Sequence, residues 1–111
     1  MSANNRTRLA RFGEDQALLF LCRRGARLVH RNRRVGRDEL DLVVRWPDRS
    51  WSVAEVKTRI NAEPIEAFDD LKATRIRRAA AKLRPPVARI DFCGVRVMAD
   101  GIEIHWVPRI A

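Results

Sequence analysis

Residues 39–58 read ELDLVVRWPDRSWSVAEVKT, and this stretch decides the fold. Its first eight and its last eight residues are rich in branched apolar and aromatic side chains, as β-strands are. The Pro-Asp-Arg-Ser segment between them, residues 47–50, is typical of a turn. We therefore predict a β-hairpin with a four-residue connection, in which Trp46 and Trp51 lie opposite each other as a cross-strand aromatic pair.

The other elements follow from the sequence on either side of this hairpin. Apolar side chains at helical spacing, ended by Gly25, predict a helix before it, and Pro64 begins a helix after it that is broken near Asp70. The predicted elements are a helix over 13–24, strands over 26–32, 39–46 and 51–58, a helix over 64–83, and strands over 87–98 and 102–107. This order predicts an α/β fold in which helices flank a central mixed sheet. We expect one domain over residues 1–111, with residues 1–10 as a flexible basic arm.

Four charged residues lie in phase on the two strands of the hairpin. Side chains two positions apart on a strand share a face, so Glu39 lies with Asp41, and Glu55 lies with Lys57. Hairpin neighbours can bring these faces together, which would gather three carboxylates and one amine on an apolar sheet. Charges are costly to bury unless they are paired or bind a metal. The pattern therefore predicts a catalytic metal centre, with a purely structural ion pair across the strands as the alternative.

The carboxylates predict which metal such a centre would hold. Hard oxygen ligands select Mg²⁺ or Mn²⁺ over zinc. An ion of this kind would polarise a phosphoryl oxygen and lower the pKa of a bound water. Lys57 would orient the attacking water or neutralise charge that develops in the transition state. The chemistry that this predicts is phosphodiester hydrolysis.

The charge distribution predicts a nucleic acid as the partner. The chain has 23 basic and 14 acidic residues and a net charge of +9. The net charge is +8 over residues 1–37, −5 over 38–70 and +6 over 71–111. Basic flanks attract phosphate, and an acidic middle suits the cation that phosphate chemistry requires. Because 20 of the 23 basic residues are arginine, a solvated basic surface is the alternative interpretation.

Two observations bear on location. The longest apolar run, residues 17–22, is six residues long, far shorter than a membrane span. Cys22 and Cys93 are far apart and each lies in an apolar stretch, which predicts buried, reduced thiols. We therefore expect a cytoplasmic protein that does not associate with a membrane.

Arg89 and Asp91 lie two positions apart on the predicted strand 87–98 and so share a face. They either form a structural ion pair or border the functional site. The sequence by itself leaves both interpretations open.

The motif E-x-D-(x13)-E-x-K, residues 39–57, resembles the PD-(D/E)xK nuclease superfamily. More narrowly, the chain is similar to the YraN-like family of predicted endonucleases, which are related to archaeal Holliday-junction resolvases. The similarity extends over nearly the whole chain, in Gly13-Glu14, Ala17, Leu21, Gly25, Asn32, Glu39 to Leu42, Glu55 to Arg59, Lys72, Arg75 and Arg89 to Phe92. It implies a restriction-endonuclease-like fold with an αβββαβ core. The family usually has glycine where this chain has Asp38, so the local turn is expected to differ.

The resemblance also implies roles for individual residues. Asp41 and Glu55 would be the central metal ligands, Glu14 the additional acid of the metal site, and Lys57 the catalytic lysine. The backbone carbonyl of Val56 would be a further ligand. Glu39 would support the site rather than bind the metal.

Four basic residues are expected to contact the nucleic acid: Lys72, Arg75, Arg59 and Arg34. The resulting hypothesis is a Mg²⁺- or Mn²⁺-dependent endonuclease that cleaves nucleic acid, with DNA, and branched DNA in particular, as the expected substrate. A catalytically inactive nucleic-acid-binding module of the same fold is the alternative. By analogy with the resolvases, a homodimer is expected.

Overall fold

The computed structural model describes residues 3–111, with side chains for residues 7–65 and 67–111. The elements are α1 (Ala3–Cys22), β1 (Arg27–Val35), β2 (Asp38–Arg45), β3 (Trp51–Ile60), a 3₁₀ turn (Pro64–Ala67), α2 (Asp70–Ala81), β4 (Arg89–Met98) and β5 (Gly101–Val107). The predicted break near Asp70 is confirmed, because α2 begins there. The carboxylate of Asp69 caps α2 by accepting a hydrogen bond of 2.8 Å from the backbone N–H of Lys72.

The five strands form one mixed sheet in the order β1-β2-β3-β4-β5. Strands β3 and β4 are parallel, and the other neighbouring pairs are antiparallel. Parallel neighbours need a crossover connection, which the 3₁₀ turn and α2 supply. The predicted α/β class, with its αβββαβ core and mixed sheet flanked by helices, is therefore confirmed.

The two helices cover opposite faces of the sheet. Leu21 of α1 packs in a buried cluster with Leu42 of β2, whereas Ile76 of α2 packs in a second cluster with Val43 of the same strand. Successive strand residues point to opposite faces, so β2 contributes to both layers. Each large aliphatic side chain buried in this way contributes about 1.5–3 kcal/mol, and these two layers hold the helices on the sheet.

Helix α1 begins at Ala3, ten residues before the predicted start at Gly13. Residues 3–10, expected as a flexible arm, form the first turns of the helix, while Met1 and Ser2 lie outside the described residues. The segment has no proline or glycine before Gly13 and contains alanine, arginine and leucine, which are good helix formers. The helix ends at Cys22, two residues before the predicted end, and Gly25 follows at φ +101°.

The predicted aromatic pair between Trp46 and Trp51 is wrong. Strand register places Arg45 opposite Trp51, and the N–H of Trp46 donates to the carbonyl of Ser50 at 2.8 Å. The loop is therefore three residues long, because Arg49 adopts the left-handed conformation at φ 73° and closes it one residue earlier. Trp46 and Trp51 consequently pack in opposite clusters.

The two cysteines are free but differ in exposure, since Cys93 is buried and Cys22 is exposed. The expectation that both are buried is wrong for Cys22, which is the last residue of α1. Among the described residues, no helix is long and apolar enough to cross a membrane.

Candidate active site

Strands β2 and β3 separate at Asp41. Their paired residues end at Leu42 and Ala54, although both strands continue. Asp41 is the next residue of β2 away from the hairpin loop. Its Oδ2 atom accepts a hydrogen bond of 2.8 Å from the backbone N–H of Val56. Leu40 packs on the α2 side of the sheet and Leu42 on the α1 side, so the usual alternation of faces is interrupted between them. A side-chain carboxylate therefore occupies the gap between the strands.

The carboxyl groups of Asp41 and Glu55 meet in this gap. Glu55 is 4% exposed. Burial, and then the negative charge of Glu55, raise the pKa of Asp41 to about 7. Burial also raises the pKa of Glu55, against the opposing effect of two nearby lysines. Asp41 donates a hydrogen bond to Glu55 when protonated, so the pair is arranged to share one positive charge, either a proton or a cation.

Two lysines flank the Glu55 carboxylate. Its Oε1 atom lies 3.9 Å from Nζ of Lys57 on β3 and 3.5 Å from Nζ of Lys72 on α2. Burial and the adjacent Lys72 ammonium lower the pKa of Lys57. The sequence predicted Lys57 at the site but placed Lys72 only among the phosphate contacts. Its approach to Glu55 depends on where α2 crosses the sheet, which no local pattern indicates.

Glu14 of α1 lies close to this pair. Burial and then the charge of Asp41 raise its pKa, while a hydrogen bond with the side chain of Asn32 opposes the shift. Nη2 of Arg31 also lies 3.5 Å from Oε1 of Glu14, and Nη1 lies 2.7 Å from Oδ1 of Asp15. Asn32 belongs to the family resemblance without an assigned role, and Arg31 is one of the arginines that could contact phosphate, but neither was predicted to contact Glu14. Asn32 adopts φ 53°, a conformation in which asparagine is enriched, and an asparagine inside a strand was the available signal.

The described residues include no group of three or more His, Cys, Asp or Glu side chains that is arranged to hold a metal ion. Asp41 and Glu55 meet, but Glu14 is engaged by its hydrogen-bond partners. Magnesium commonly binds to one or two carboxylates and keeps several water ligands. The donor set present in the gap therefore fits Mg²⁺ or Mn²⁺ better than a metal that needs four side chains.

The family model described as Uncharacterised protein family UPF0102 matches residues 13–95. The chain belongs to this family. The UPF0102 protein of Arthrobacter sp. strain FB24 is 38% identical over 102 residues, which cover 84% of each chain. That of Streptomyces griseus is 35% identical over 111 residues, covering 91% of this chain and 92% of the relative. That of Thermus thermophilus is 34% identical over 102 residues, covering 89% and 85%.

The UPF0102 match spans the acids and both lysines of the gap, from Glu14 to Lys72. It also spans the strands that separate at Asp41 and the helix that carries Lys72 to Glu55. All of these residues therefore lie within the matched range 13–95.

A surface cavity of about 340 Å³ opens on the α2 side of the carboxylates. Glu39, Glu55, Lys72 and Arg75 line it, so Glu39 stands at the rim while Glu55 forms part of the wall. The exposed Glu39 also lies opposite Arg34 of β1. The strict alternation that grouped Glu39 with Asp41 does not hold across this part of β2, but Glu39 is nevertheless beside the site.

A smaller cavity of about 200 Å³ opens on the α1 side, and Glu14, Lys57 and Arg59 are among its lining residues. Arg59 is exposed, and its guanidinium donates to the carbonyl of Thr58 at 2.9 Å. Lys57 can therefore be reached from this side, while Glu55 is reached from the other. Arg75 and Arg59 lie in different cavities, and Arg34 is on the outer strand β1, so the predicted phosphate contacts surround the site rather than form one patch.

Proposed function

We propose that this protein is a metal-dependent endonuclease that hydrolyses phosphodiester bonds in nucleic acid, of the PD-(D/E)xK type that the YraN-like resemblance implies. The observation that carries the proposal is the meeting of Asp41 and Glu55 in the gap between β2 and β3, with Lys57 3.9 Å from Glu55. In a purely structural arrangement of two acids and two lysines, each acid would face a lysine, whereas both lysines here lie beside Glu55. Here two acids share a buried position, and the raised pKa of Asp41 is a cost that binding a cation would offset.

Asp41 and Glu55 would hold Mg²⁺ or Mn²⁺, with Glu14 and the backbone carbonyl of Val56 as further donors. When bound, such an ion supplies electrostatic stabilisation of a phosphoryl oxygen and a more acidic water. Both carboxylates are anchored for this role. Asp41 is held by the backbone N–H of Val56, and Glu55 lies where β3 pairs with β4, opposite Phe92.

The lysines would act on the substrate. Lys57, with its lowered pKa, would hold the attacking water in line with the phosphorus atom or neutralise charge on the phosphoryl oxygens. When the nucleic acid and the metal bind, the Lys72 ammonium would exchange its contact with Glu55 for a contact with a phosphate oxygen. Arg75 and Arg59 would hold neighbouring phosphates at the mouths of the two cavities.

The proposed substrate is DNA, and branched DNA in particular, because the resemblance is to resolvase-like nucleases. The net charge of +9 supports a polyanionic substrate. A homodimer and a cytoplasmic location belong to the same proposal and follow from the resemblance and the free thiols respectively.

Purified protein incubated with single-stranded, duplex, flap and four-way DNA tests the proposal in the presence of Mg²⁺, Mn²⁺ or EDTA. We expect metal-dependent cleavage of at least one substrate, and its loss, by about 10²-fold or more, in both Asp41→Asn and Glu55→Gln. Glu103→Gln is the matched control, since this exposed carboxylate on β5 lies 3.8 Å from the guanidinium of Arg96 and away from the gap. It should cleave like the wild type.

Two results would contradict the proposal. Cleavage that persists in Asp41→Asn and Glu55→Gln would assign the activity to a contaminant or to another site. Tight DNA binding with no cleavage under any metal would favour the alternative function, a catalytically inactive nucleic-acid-binding module.

A further inference from the structure

A third cavity, of about 360 Å³ and lined by three arginines, lies at the end of the β2–β3 hairpin that is farthest from the carboxylates. Its lining residues are Gly25, Arg27, Arg45, Trp46, Pro47 and Arg49. The three arginines are exposed and come from β1, from β2 and from the loop that follows β2. None of them belongs to the catalytic site or to the basic residues expected to contact phosphate near it.

Two of these arginines stand directly opposite each other. Arg27 of β1 and Arg45 of β2 are register partners in the antiparallel ladder. Like charges in this position destabilise a strand pair. Among the side chains that the structure describes, no carboxylate lies within ion-pair distance of Arg27, Arg45 or Arg49. The folded protein thus maintains an uncompensated repulsion at this position.

The acid nearest in sequence does not relieve the repulsion. Asp48 lies next to Arg49, but its carboxylate accepts hydrogen bonds from the N–H and the hydroxyl of Ser50, at 2.9 and 2.6 Å. These bonds lower the pKa of Asp48, so it remains ionised while it stabilises the turn. Arg49 itself adopts φ 73°, an uncommon conformation for a residue other than glycine, and its exposed side chain is one of those that line the cavity.

The wall of the cavity is rigid. The ring of Trp46 stacks on Trp106, with centroids 5.6 Å apart and an interplanar angle of 19°. Its Nε1 atom donates to Oγ of Ser52 at 2.9 Å. Trp46 is thus held in one orientation from two sides. The cavity therefore has a fixed aromatic wall beside three exposed guanidinium groups, and guanidinium groups without a carboxylate partner are suited to bind an anion.

We propose that Arg27, Arg45 and Arg49 form a second phosphate-binding site, which holds the backbone of the nucleic acid away from the scissile bond. Arginine forks match phosphate oxygens, and a bound phosphate would neutralise the Arg27–Arg45 repulsion. Arg45 lies opposite Trp51, four residues before Glu55 along β3. At a rise of about 3.3 Å per residue, the two sites are roughly 13 Å apart along the strand, which is about four base-pair steps. The choice of nucleic acid as the ligand rests on the proposed function, but the site itself does not.

The test compares two double variants that each remove two positive charges, made in the Asp41→Asn background so that binding is measured without cleavage. Arg27→Gln/Arg45→Gln removes the opposed pair, and Lys82→Gln/Arg84→Gln removes two exposed charges at the end of α2 that do not line the cavity. Binding of a fluorescent 20-base-pair duplex is followed by anisotropy between 50 and 200 mM NaCl.

We expect Arg27→Gln/Arg45→Gln to weaken binding about tenfold and to reduce the slope of log K against log salt by about 1 to 2. The control pair should change the affinity by less than about twofold. Thermal unfolding distinguishes this effect from misfolding, because loss of the opposed charges should leave the melting temperature unchanged or raise it. Two results would overturn the proposal. If both double variants weakened duplex binding equally, the loss would be explained by net charge alone. If Arg27→Gln/Arg45→Gln bound the duplex as tightly as its parent, the cavity would have no role in binding.

A competition experiment distinguishes backbone phosphate from a free anion. Inorganic phosphate at 10 mM should displace the duplex no better than NaCl of equal ionic strength. Binding of inorganic phosphate to the protein without DNA, followed by phosphorus NMR, that is lost in Arg27→Gln/Arg45→Gln while the duplex affinity is unchanged would assign the cavity to free phosphate instead. If the duplex requires these arginines but the wild type never cleaves, the second site stands and the nuclease proposal fails. If the wild type cleaves but binding does not depend on these arginines, the nuclease proposal stands and the second site fails.

Discussion

Oδ2 of Asp41 accepts a hydrogen bond of 2.8 Å from the backbone N–H of Val56, at the point where the ladder between β2 and β3 stops. The bond satisfies a backbone donor that strand separation would otherwise leave without a partner. It also fixes the carboxylate beside Glu55. The same hydrogen bond therefore completes the separation of the strands and positions the acid.

The first prediction concerns pH. Burial and Glu55 raise the pKa of Asp41 from an ordinary value of 3.8 to about 7, so the folded state binds more protons than the unfolded state between these values. Stability from this group is therefore present below about pH 4 and is lost as the pH rises to 7. In EDTA, Asp41→Asn and the wild type should have the same free energy of unfolding near pH 4. At pH 8 the free energy of unfolding of Asp41→Asn should be higher by about 1–3 kcal/mol. Urea unfolding across this range checks it, and a constant difference at all pH values would contradict it.

The second prediction concerns Lys72, whose ammonium lies 3.5 Å from Glu55. A cation in this position competes with a metal ion for the same carboxylate. Lys72→Met should therefore tighten Mn²⁺ binding about threefold to tenfold, measured by electron paramagnetic resonance or calorimetry. Lys82→Met, an exposed position at the end of α2, should leave the affinity unchanged. Weaker Mn²⁺ binding in Lys72→Met would show that the lysine stabilises the metal site instead.

The third prediction concerns the approach of α1 to β3. A Cβ atom at Gly13 would lie 1.7 Å from Oγ1 of Thr58, far inside van der Waals contact. Gly13→Ala should therefore destabilise the protein by about 1–3 kcal/mol, although the same change in an unhindered helix stabilises it by about 1 kcal/mol. Thr58→Ala added to Gly13→Ala should restore part of the loss, as followed by urea unfolding. Gly13→Ala with wild-type stability would contradict the close packing.

The fourth prediction concerns Asp91, which is 0% exposed. Its carboxylate accepts hydrogen bonds from Arg89 at 2.9 and 3.1 Å, from Nε1 of Trp106 at 3.2 Å and from the N–H of Arg109 at 3.0 Å. The pair Arg89–Asp91 is thus structural, which answers the question that the sequence left open. Asp91→Ala should cost about 3–5 kcal/mol, since a charged partner and two donors lose their acceptor.

Exposed Glu103 provides the comparison for Asp91, because its pairing with Arg96 is at the surface. Glu103→Ala should change the free energy of unfolding by less than about 0.5 kcal/mol. Similar losses in Asp91→Ala and Glu103→Ala would contradict the structural role of Asp91.

The sequence by itself determined the kind and order of the elements and the chemistry of the hairpin. Strand periodicity and turn residues are local properties, so the α/β class and the strand pair 39–46 and 51–58 could be predicted within a few residues. An acid such as Asp41 in an apolar strand, and the spacing of Glu55 and Lys57, stand out for the same local reason. Glu14 was accessible only through the family resemblance, because its contact with the site spans two elements.

The tertiary structure alone decided how these parts meet. Because Arg49 adopts the left-handed conformation, the hairpin loop has three residues and Trp46 stacks on Trp106 instead of facing Trp51. The composition of residues 47–50 indicated a turn but not this conformation. The crossover helix carried Lys72 to Glu55 because parallel strands must be joined over the face of the sheet. Long-range packing, rather than local preference, therefore determines which charges share the gap between β2 and β3.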